Sequence, residues 1–208
     1  RFEAATPAPL LSSSVAKTLG ESVRLLSSAG AQILTGGNAL PAPGYRFANT
    51  LLRVTGAHFL RDPEKFQTEA FGNASLLVVA RDAGEIGPIL EHLEGNLTGG
   101  FYTDTRGSDD ALHAELEPKM RERVGRLLND KMPTGVAVSP AMNHGGPFPA
   151  TGHPGFTAVG MPAAIHRFTA LHCHDGVPDA LLPVELRDRN PGGVQRWVDG
   201  RWSTADIG

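Results

Sequence analysis

Three neighbouring residues, His172, Cys173 and His174, have side chains that bind zinc in many proteins. In a strand, residues 172 and 174 would share one face, but a zinc site would still need two or more further ligands. The sequence has no Cys-x-x-Cys or His-x-x-x-His pair to supply them. We therefore expect no metal site, and we interpret Cys173 as a buried or idle thiol.

Residues 139–155, with the sequence SPAMNHGGPFPATGHPG, are dense in glycine, proline and asparagine. Loops of this length inside a compact domain are usually functional, so we expect this segment to line a site. Two other site signatures are absent: the sequence has no Gly-x-Gly-x-x-Gly run after a strand and no Gly-x-Ser-x-Gly run. It therefore favours neither a self-contained dinucleotide domain nor an α/β-hydrolase.

Composition limits the classes of partner. The formal net charge of −3 and the pI near 6.2 provide no long-range attraction for nucleic acid or an anionic membrane surface. No run approaches the ~18 apolar residues of a membrane span, and no signal-type apolar region follows the N-terminus. The single cysteine fits a reducing compartment, so we expect a cytoplasmic protein with small-molecule or protein partners. Because the sequence starts at Arg1 and not at methionine, we expect a fragment.

Apolar spacing and capping residues predict alternating helices and strands. The first half gives a capped helix over 12–29, strands over 31–35, 50–55 and 75–80, and a helical turn near 62–65. The continuous apolar run 75–80 is typical of a strand that is covered on both faces. Helices follow over 83–93 and 108–123, strands over 97–103, 124–128 and 135–138, and a short helix over 161–167. This order predicts an α/β fold with a largely parallel sheet flanked by helices.

The C-terminal residues predict a β-hairpin. Two β-type runs, 195–198 and 201–203, are joined by Asp199-Gly200, which is a strong hairpin signal, and both tryptophans lie in them. A hairpin this small is not stable alone, so we expect it to add to another sheet within the subunit or across an oligomer. We therefore predict a main domain over residues 1–190 and an oligomerisation hairpin over residues 191–208.

A series of motifs resembles the carboxy-terminal, catalytic-domain portion of the aldehyde dehydrogenases. Glu69-Ala70-Phe71-Gly72 is similar to the family's Glu-x-Phe-Gly element. Asn96–Thr103 resembles its Tyr-Gly-Leu-x-x-x-Val-Phe-Thr segment, and Val124–Asn129 its Gly-x-Val-x-x-Asn strand. Gly146-Pro147-Phe148 with Gly152 resembles its Pro-Phe-Gly-Gly…Ser-Gly loop. The order and spacing of these motifs agree over most of the chain.

The departures from the family pattern indicate a particular branch. Asn73 replaces the usual proline, and the runs Asn129–Val136 and His144–Thr151 are similar to those of enzymes that oxidise 2-oxoglutarate semialdehyde (2,5-dioxopentanoate). The loop around Phe148 also differs from the common family sequence, which leaves the usual ligands there open.

The resemblance implies roles for five residues. Glu69 would bind the nicotinamide-ribose hydroxyls of NADP or NAD, because a carboxylate accepts two hydrogen bonds, and Phe71 would pack beside the ribose and nicotinamide. The alternative is a solvated turn carboxylate and a core phenylalanine. Phe148 would line the aldehyde entrance, and Asn143 and His144 would offer donors to an acidic keto-aldehyde, unless they are ordinary polar loop residues.

The resemblance also implies a reaction. An upstream cysteine thiolate would attack the aldehyde, hydride would pass to NAD(P)⁺, and water would hydrolyse the thioester with help from an upstream glutamate base. Cys173 lies about a hundred residues after Glu69, on the wrong side of the Glu-x-Phe-Gly element, and nothing near it resembles the nucleophile loop. We therefore predict no catalytic residue in these 208 residues and no activity for the chain alone. The alternative is a non-catalytic module for oligomerisation or binding, with the tryptophan hairpin as its docking element.

Overall fold

The computed structural model describes residues 2–134, 139–160 and 163–208. The chain folds as two compact units, one ending at Arg167 and the other running from Phe168 to Gly208. The predicted domain boundary after residue 190 stays a prediction. In the described ranges, no helix has both the length and the apolar character needed to cross a bilayer.

The first unit alternates helices and strands, as the sequence predicts. Its helices are α1 (Ser13–Ser28), α2 (Gly56–Phe59), α3 (Pro63–Phe66), α4 (Ala83–Glu91) and α5 (Asp110–Arg121). Its strands are β1 (Gln32–Thr35), β2 (Thr50–Thr55), β3 (Ala74–Val79), β4 (Asn96–Phe101) and β5 (Val124–Asn129). Short 3₁₀ helices cover Pro154–Phe156 and Ala163–Arg167. The strand expected at 135–138 and the first two residues of the helix expected at 161–167 lie outside the described residues.

Helix α1 forms where the sequence predicts it. The Ser12 hydroxyl accepts a hydrogen bond from the Val15 amide at 3.3 Å and so caps the helix. Leu19, Val23 and Leu26 are buried along one side, as their spacing of three or four residues requires. The helix therefore covers the core with a single apolar face.

Strands β1, β2 and β3 form a three-stranded sheet in that order, with β1 antiparallel and β3 parallel to β2. The inner face of β2 contributes Leu52 and Val54, which are 1% and 3% exposed. These side chains pack in one apolar cluster with Phe59 and Phe66 of the two short helices. The core of the first unit thus lies between this sheet and the helices on its inner side.

Strand β3 corrects one expectation. Its residues alternate between half-buried and exposed, and Leu77 and Val79 are 44% and 39% exposed. The predicted burial of both faces is therefore wrong for the described residues. The physical reason is that helices cover only the inner face, while Leu77 pairs in register with the exposed Arg53 on the outer face.

Strands β4 and β5 pair in parallel as a second sheet of two strands. Helices α4 and α5 run beside each other, and Lys119 of α5 forms an ion pair with Glu91 of α4. The predicted α/β class and the parallel pairing are confirmed. The parallel strands, however, belong to two separate small sheets among the described residues, and β1 is antiparallel to its neighbour.

The second unit contains the predicted hairpin. Strands β6 (Arg196–Val198) and β7 (Arg201–Ser203) pair antiparallel around Asp199 and Gly200, whose φ angles are 47° and 79°. Positive φ at both central residues is what this two-residue turn demands, and asparagine, aspartate and glycine adopt it most easily. The rings of Trp197 and Trp202 pack edge to face with centroids 5.1 Å apart.

Candidate functional site

Glu69 lies on the irregular segment between α3 and β3, and helix α1 holds its backbone in place. The hydroxyl of Ser22, which is 8% exposed, donates a hydrogen bond to the Glu69 carbonyl oxygen at 3.4 Å. Glu69 itself is exposed. The carboxylate is therefore available to a ligand while its backbone is fixed by the core.

Two cavities meet at Glu69. The first, of about 450 Å³, is lined by Phe71 as well as Glu69, and its apolar floor includes Leu26 and Leu52. The second, of about 480 Å³, lies between Glu69 and the Pro149-Ala150 segment of the glycine-rich loop. Both volumes fall in the range of small-molecule pockets. The structure thus brings Glu69 together with Phe71 on one side and with loop 139–155 on the other.

The second cavity, which we call the Glu69 cavity, is acidic and polar. Its lining residues come from the α3–β3 segment, from the α4–β4 connection, from the start of β4 and from the loop: Gln67, Glu69, Glu94, Gly95, Asn96, Leu97, Thr98, Pro149 and Ala150. The side-chain oxygen of Gln67 accepts a hydrogen bond from the Glu94 amide at 2.7 Å, which ties two of its walls together. Carboxylates accept hydrogen bonds, so this cavity suits a ligand rich in hydroxyl groups.

Glycines allow the loop to lie directly on the strands. A side chain at Gly125 of β5 would place its Cβ 1.5 Å from the Gly145 carbonyl oxygen, and one at Gly146 would lie 2.1 Å from the Asn96 oxygen. The Gly95 amide donates a hydrogen bond to the Phe148 oxygen at 3.2 Å. Backbone approach this close needs residues without a side chain. Sequence reasoning missed this role, because the close approach joins residues that lie far apart in the sequence.

Asn143 anchors the loop to β5. Its side-chain amide donates a hydrogen bond to the Gly125 oxygen at 3.3 Å, and its side-chain oxygen accepts one from the Thr157 hydroxyl at 2.6 Å. These bonds use both ends of the side chain within the protein. The predicted role of Asn143 in substrate binding stays a prediction, and its visible role is to hold the loop in place.

His144 and Phe148 lie apart from the Glu69 cavity. His144 lines a third cavity of about 290 Å³, together with Arg126 of β5. Phe148 is 76% exposed, while the residues after it, Pro149 and Ala150, line the Glu69 cavity. The structure therefore places the predicted substrate residues along one loop but does not bring them all into one pocket.

Arg126 is a residue that sequence reasoning missed. It pairs in register with Thr98 of β4, so both side chains lie on the same face of the small sheet. The available signal was an arginine inside the otherwise apolar strand sequence VGRLLN. A charged residue at such a position needs an explanation other than core packing.

Two carboxyl groups with lowered pKa values, those of Asp62 and Asp82, lie at helix starts and not in these cavities. A hydrogen bond from Lys65 lowers the pKa of Asp62, and one from Arg81 lowers the pKa of Asp82. Asp62 and Asp82 precede α3 and α4. These shifts therefore report on local helix-end structure.

The residues of the His172–His174 run belong to the second unit. Cys173 is a free thiol and is exposed, so of the two expected alternatives, a buried or an idle thiol, the buried one is wrong and the idle one stays a prediction. Its chain neighbours are exposed as well, because the described residues of this unit form no buried core. Within the described ranges, no group of three His, Cys, Asp or Glu side chains is arranged to hold a metal ion.

Two proteins with the same enzyme name are similar to this chain in sequence. No family model matches the chain. Its sequence is 44% identical over 151 residues to alpha-ketoglutaric semialdehyde dehydrogenase 2 of Azospirillum brasilense, covering 73% of this chain and 28% of that protein. It is 40% identical over 136 residues to the alpha-ketoglutaric semialdehyde dehydrogenase of Acinetobacter baylyi, covering 65% and 25%.

A similarity of fold accompanies the similarity of sequence. The structure of an NAD-dependent aldehyde dehydrogenase from Sinorhizobium meliloti matches 66% of this chain and 25% of its own chain, with a TM-score of 0.52 and 21% identity. The chain thus spans about a quarter of the length of the relatives that it matches. The chain is therefore similar in sequence to part of the alpha-ketoglutaric semialdehyde dehydrogenases and similar in fold to part of an aldehyde dehydrogenase.

Proposed function

We propose that this chain forms the nicotinamide-ribose side and the substrate entrance of an NAD(P)-dependent aldehyde dehydrogenase that acts on 2-oxoglutarate semialdehyde. The sequence relatives carry the name of alpha-ketoglutaric semialdehyde dehydrogenases, the same aldehyde under another name. The observation that carries the proposal is the position of Glu69, an exposed carboxylate with a fixed backbone at the meeting point of two cavities.

The residues around Glu69 fit a nicotinamide ribose. A carboxylate can accept hydrogen bonds from both hydroxyls of one ribose, and the neighbouring Phe71 offers an exposed ring for a flat partner. When bound, NAD(P)⁺ supplies the hydride acceptor of the oxidation. The task of Glu69 is then to orient the sugar, and the task of the Pro149-Ala150 segment is to close the opposite wall.

We further propose that the 208 residues alone do not oxidise aldehydes. The reaction needs a thiolate that adds to the carbonyl and later leaves. The single cysteine, Cys173, is exposed in the second unit and lies on the C-terminal side of the Glu-x-Phe-Gly element, where nothing resembles the nucleophile loop. Purified chain, verified by intact mass, is therefore expected to form no reduced nicotinamide from the semialdehyde and NADP⁺. Turnover that is sensitive to thiol alkylation would contradict this expectation.

Binding of the cofactor tests the central proposal directly. Saturation-transfer NMR on the intact 208-residue chain would follow the nicotinamide and ribose protons of NAD⁺ and NADP⁺. Glu69→Gln removes the negative charge and should weaken binding about tenfold, because hydrogen bonds to charged groups are worth about 1.5–3 kcal/mol. Glu64→Gln, on the exposed surface of α3, is the matched control and should leave affinity unchanged.

Two outcomes would contradict the proposal. One is binding of NAD(P)⁺ with equal affinity by the wild-type chain and by Glu69→Gln. The other is a transfer pattern in which the ribose protons of the nicotinamide half receive no magnetisation from the protein. Circular dichroism of both variants would confirm that each is folded.

A second candidate function is that of an oligomerisation module, and a specific observation favours it. Trp197 and Trp202 are 61% and 63% exposed, although each is large and apolar. Exposed apolar surface of this kind marks interaction sites. We propose that the hairpin docks on a second copy as a dimer or tetramer contact. Trp197→Ser should lower the mass measured by analytical ultracentrifugation and leave NAD(P)⁺ affinity unchanged, whereas an unchanged mass would contradict the docking role.

A further inference from the structure

The third cavity has a distinctive chemistry. We call it the Arg126 cleft, and its described lining comes from β4, β5, the segment after β5 and the glycine-rich loop: Leu97, Thr98, Arg126, Pro133, Thr134, His144 and Gly145. This set contains one guanidinium, one imidazole and two hydroxyls, and it contains no carboxylate. Every polar side chain in the set can donate a hydrogen bond.

Arg126 has donors to spare. One of its terminal nitrogens donates a hydrogen bond to the Pro133 carbonyl oxygen at 3.2 Å, which holds the side chain along the strand. Among the residues that the structure describes, no aspartate or glutamate forms an ion pair with Arg126. A guanidinium carries five N–H donors in a fixed fork that matches the two oxygens of a carboxylate. Arg126 is half-buried. Because its side chain is held in position and has unused donors, it can still bind an anion.

The cleft is adjacent to the Glu69 cavity. Leu97 and Thr98 of β4 line both, so the two spaces share one wall. Their charges are opposite: Glu69 and Glu94 line one cavity, and Arg126 lines the other. A ligand with one anionic end is repelled from the first and attracted to the second.

We propose that the Arg126 cleft binds the carboxylate end of the substrate, with Arg126 as the main anion-binding residue and His144 and Thr98 as further donors. The identity of that substrate as a 2-oxo acid aldehyde rests on the proposed function. The placement itself follows from charge and from the shared wall. A carboxylate in the Arg126 cleft puts the rest of a five-carbon chain along Leu97 and Thr98, toward the cavity assigned to the nicotinamide ribose.

Titration of the intact 208-residue chain with 2-oxoglutarate, the acid that corresponds to the semialdehyde, tests this assignment when ligand NMR signals are followed. Arg126→Gln keeps a polar side chain of similar length and should weaken binding at least about tenfold. Arg126→Lys keeps the charge but loses the forked geometry of the guanidinium, so its affinity should lie between those of the wild type and Arg126→Gln. Arg106→Gln, at an arginine that is 89% exposed, is the matched control and should bind as the wild type does.

The dimethyl ester of 2-oxoglutarate distinguishes binding of the negative charge from non-specific binding, because it has the same carbon chain without the carboxylates. We expect it to bind at least tenfold more weakly than the acid. Equal binding of the acid by wild type and Arg126→Gln, equal binding of the acid and the ester, or no binding by the wild type would each overturn the assignment. NAD(P)⁺ binding to the same samples reports on Glu69, so failure of the Arg126 cleft and failure of the proposed function give different results.

Discussion

Each of the two compact units of this chain is stabilised internally by a different kind of interaction. Residues 2–167 bury a set of apolar side chains, several of them nearly inaccessible, such as Leu19, Leu52 and Phe59. In residues 168–208, by contrast, no side chain is buried, and a mesh of hydrogen bonds joins the hairpin to its flanking coil. Arg196 and Asn190 are the centres of that mesh.

The difference shows what each kind of structure requires. Burial of apolar side chains stabilises the folded state in proportion to the area removed from water, so the first unit is stabilised by its own core. A hydrogen bond contributes only about 0.5–1.5 kcal/mol net, since water competes for the same groups. The second unit also exposes large apolar side chains, including Phe168, Leu171 and Trp202. The second unit therefore has little apolar burial to stabilise it.

The largest expected effect tests the core of the first unit. Leu52→Ala should lower the free energy of unfolding by about 2–5 kcal/mol, because the side chain is 1% exposed and its loss leaves a cavity in the apolar cluster. Urea unfolding followed by circular dichroism measures it, since α1, α4 and α5 all belong to this unit.

A matched leucine on the neighbouring strand provides the control. Leu77 of β3 is 44% exposed on the outer face, so Leu77→Ala should cost less than about 1 kcal/mol. Equal losses for Leu52→Ala and Leu77→Ala would mean that the outer face of β3 is covered in solution. That result would remove the contrast between the two faces of this sheet.

A smaller effect is expected in the second unit. The side-chain amide of Asn190 donates hydrogen bonds to the oxygens of Val194 and Thr204 at 2.8 and 2.9 Å and accepts one from the Val194 amide at 2.9 Å. Asn190→Ala removes all three and should destabilise the hairpin by about 1–2 kcal/mol. Tryptophan fluorescence isolates this unit, because both tryptophans lie in it.

Asn190→Asp refines the same measurement. It keeps the acceptor for Val194 and loses the two donors, so its fluorescence transition should fall between those of the wild type and Asn190→Ala. A fluorescence transition that does not move in either variant would show that apolar contacts, and not this hydrogen-bond mesh, hold the hairpin.

Sequence patterns predicted the fold of the first unit well where burial produces periodicity. Helix α1 and strand β2 lie where the spacing of Leu19, Val23 and Leu26 and the run 50–55 place them. The run 75–80 gave the strand but not its burial, because composition reports how apolar a strand is and not what covers it. In the second unit, the turn residues Asp199 and Gly200, which adopt positive φ easily, were the main signal that predicted the hairpin.

The candidate site was predictable in part. The motif around Glu69 came from resemblance to a family, and the structure adds the cavity that Glu69 shares with Pro149 and Ala150. The arginine within VGRLLN was a local signal, but the role of Arg126 was not predictable, because it depends on the cross-strand register with Thr98 and on the loop that places His144 in the same cavity. Such long-range relations leave no local pattern in the sequence.

The smallest expected effect concerns surface charge in the first unit. A hydrogen bond from Lys119, and then its positive charge, lower the pKa of Glu91 below the ordinary value of 4.5. A lowered folded-state pKa stabilises the protein above pH 4.5, and this contribution disappears as the pH falls through the folded value. Lys119→Gln should therefore lower the urea midpoint slightly at pH 7 and match the wild type in strong acid. Lys17→Gln is the control, because the Lys17 nitrogen lies 3.9 Å from the Glu21 carboxylate, and it should leave the urea midpoint unchanged at both pH values. A Lys119→Gln deficit that persists in acid would instead assign the effect to packing of the lysine stem beside Gly87.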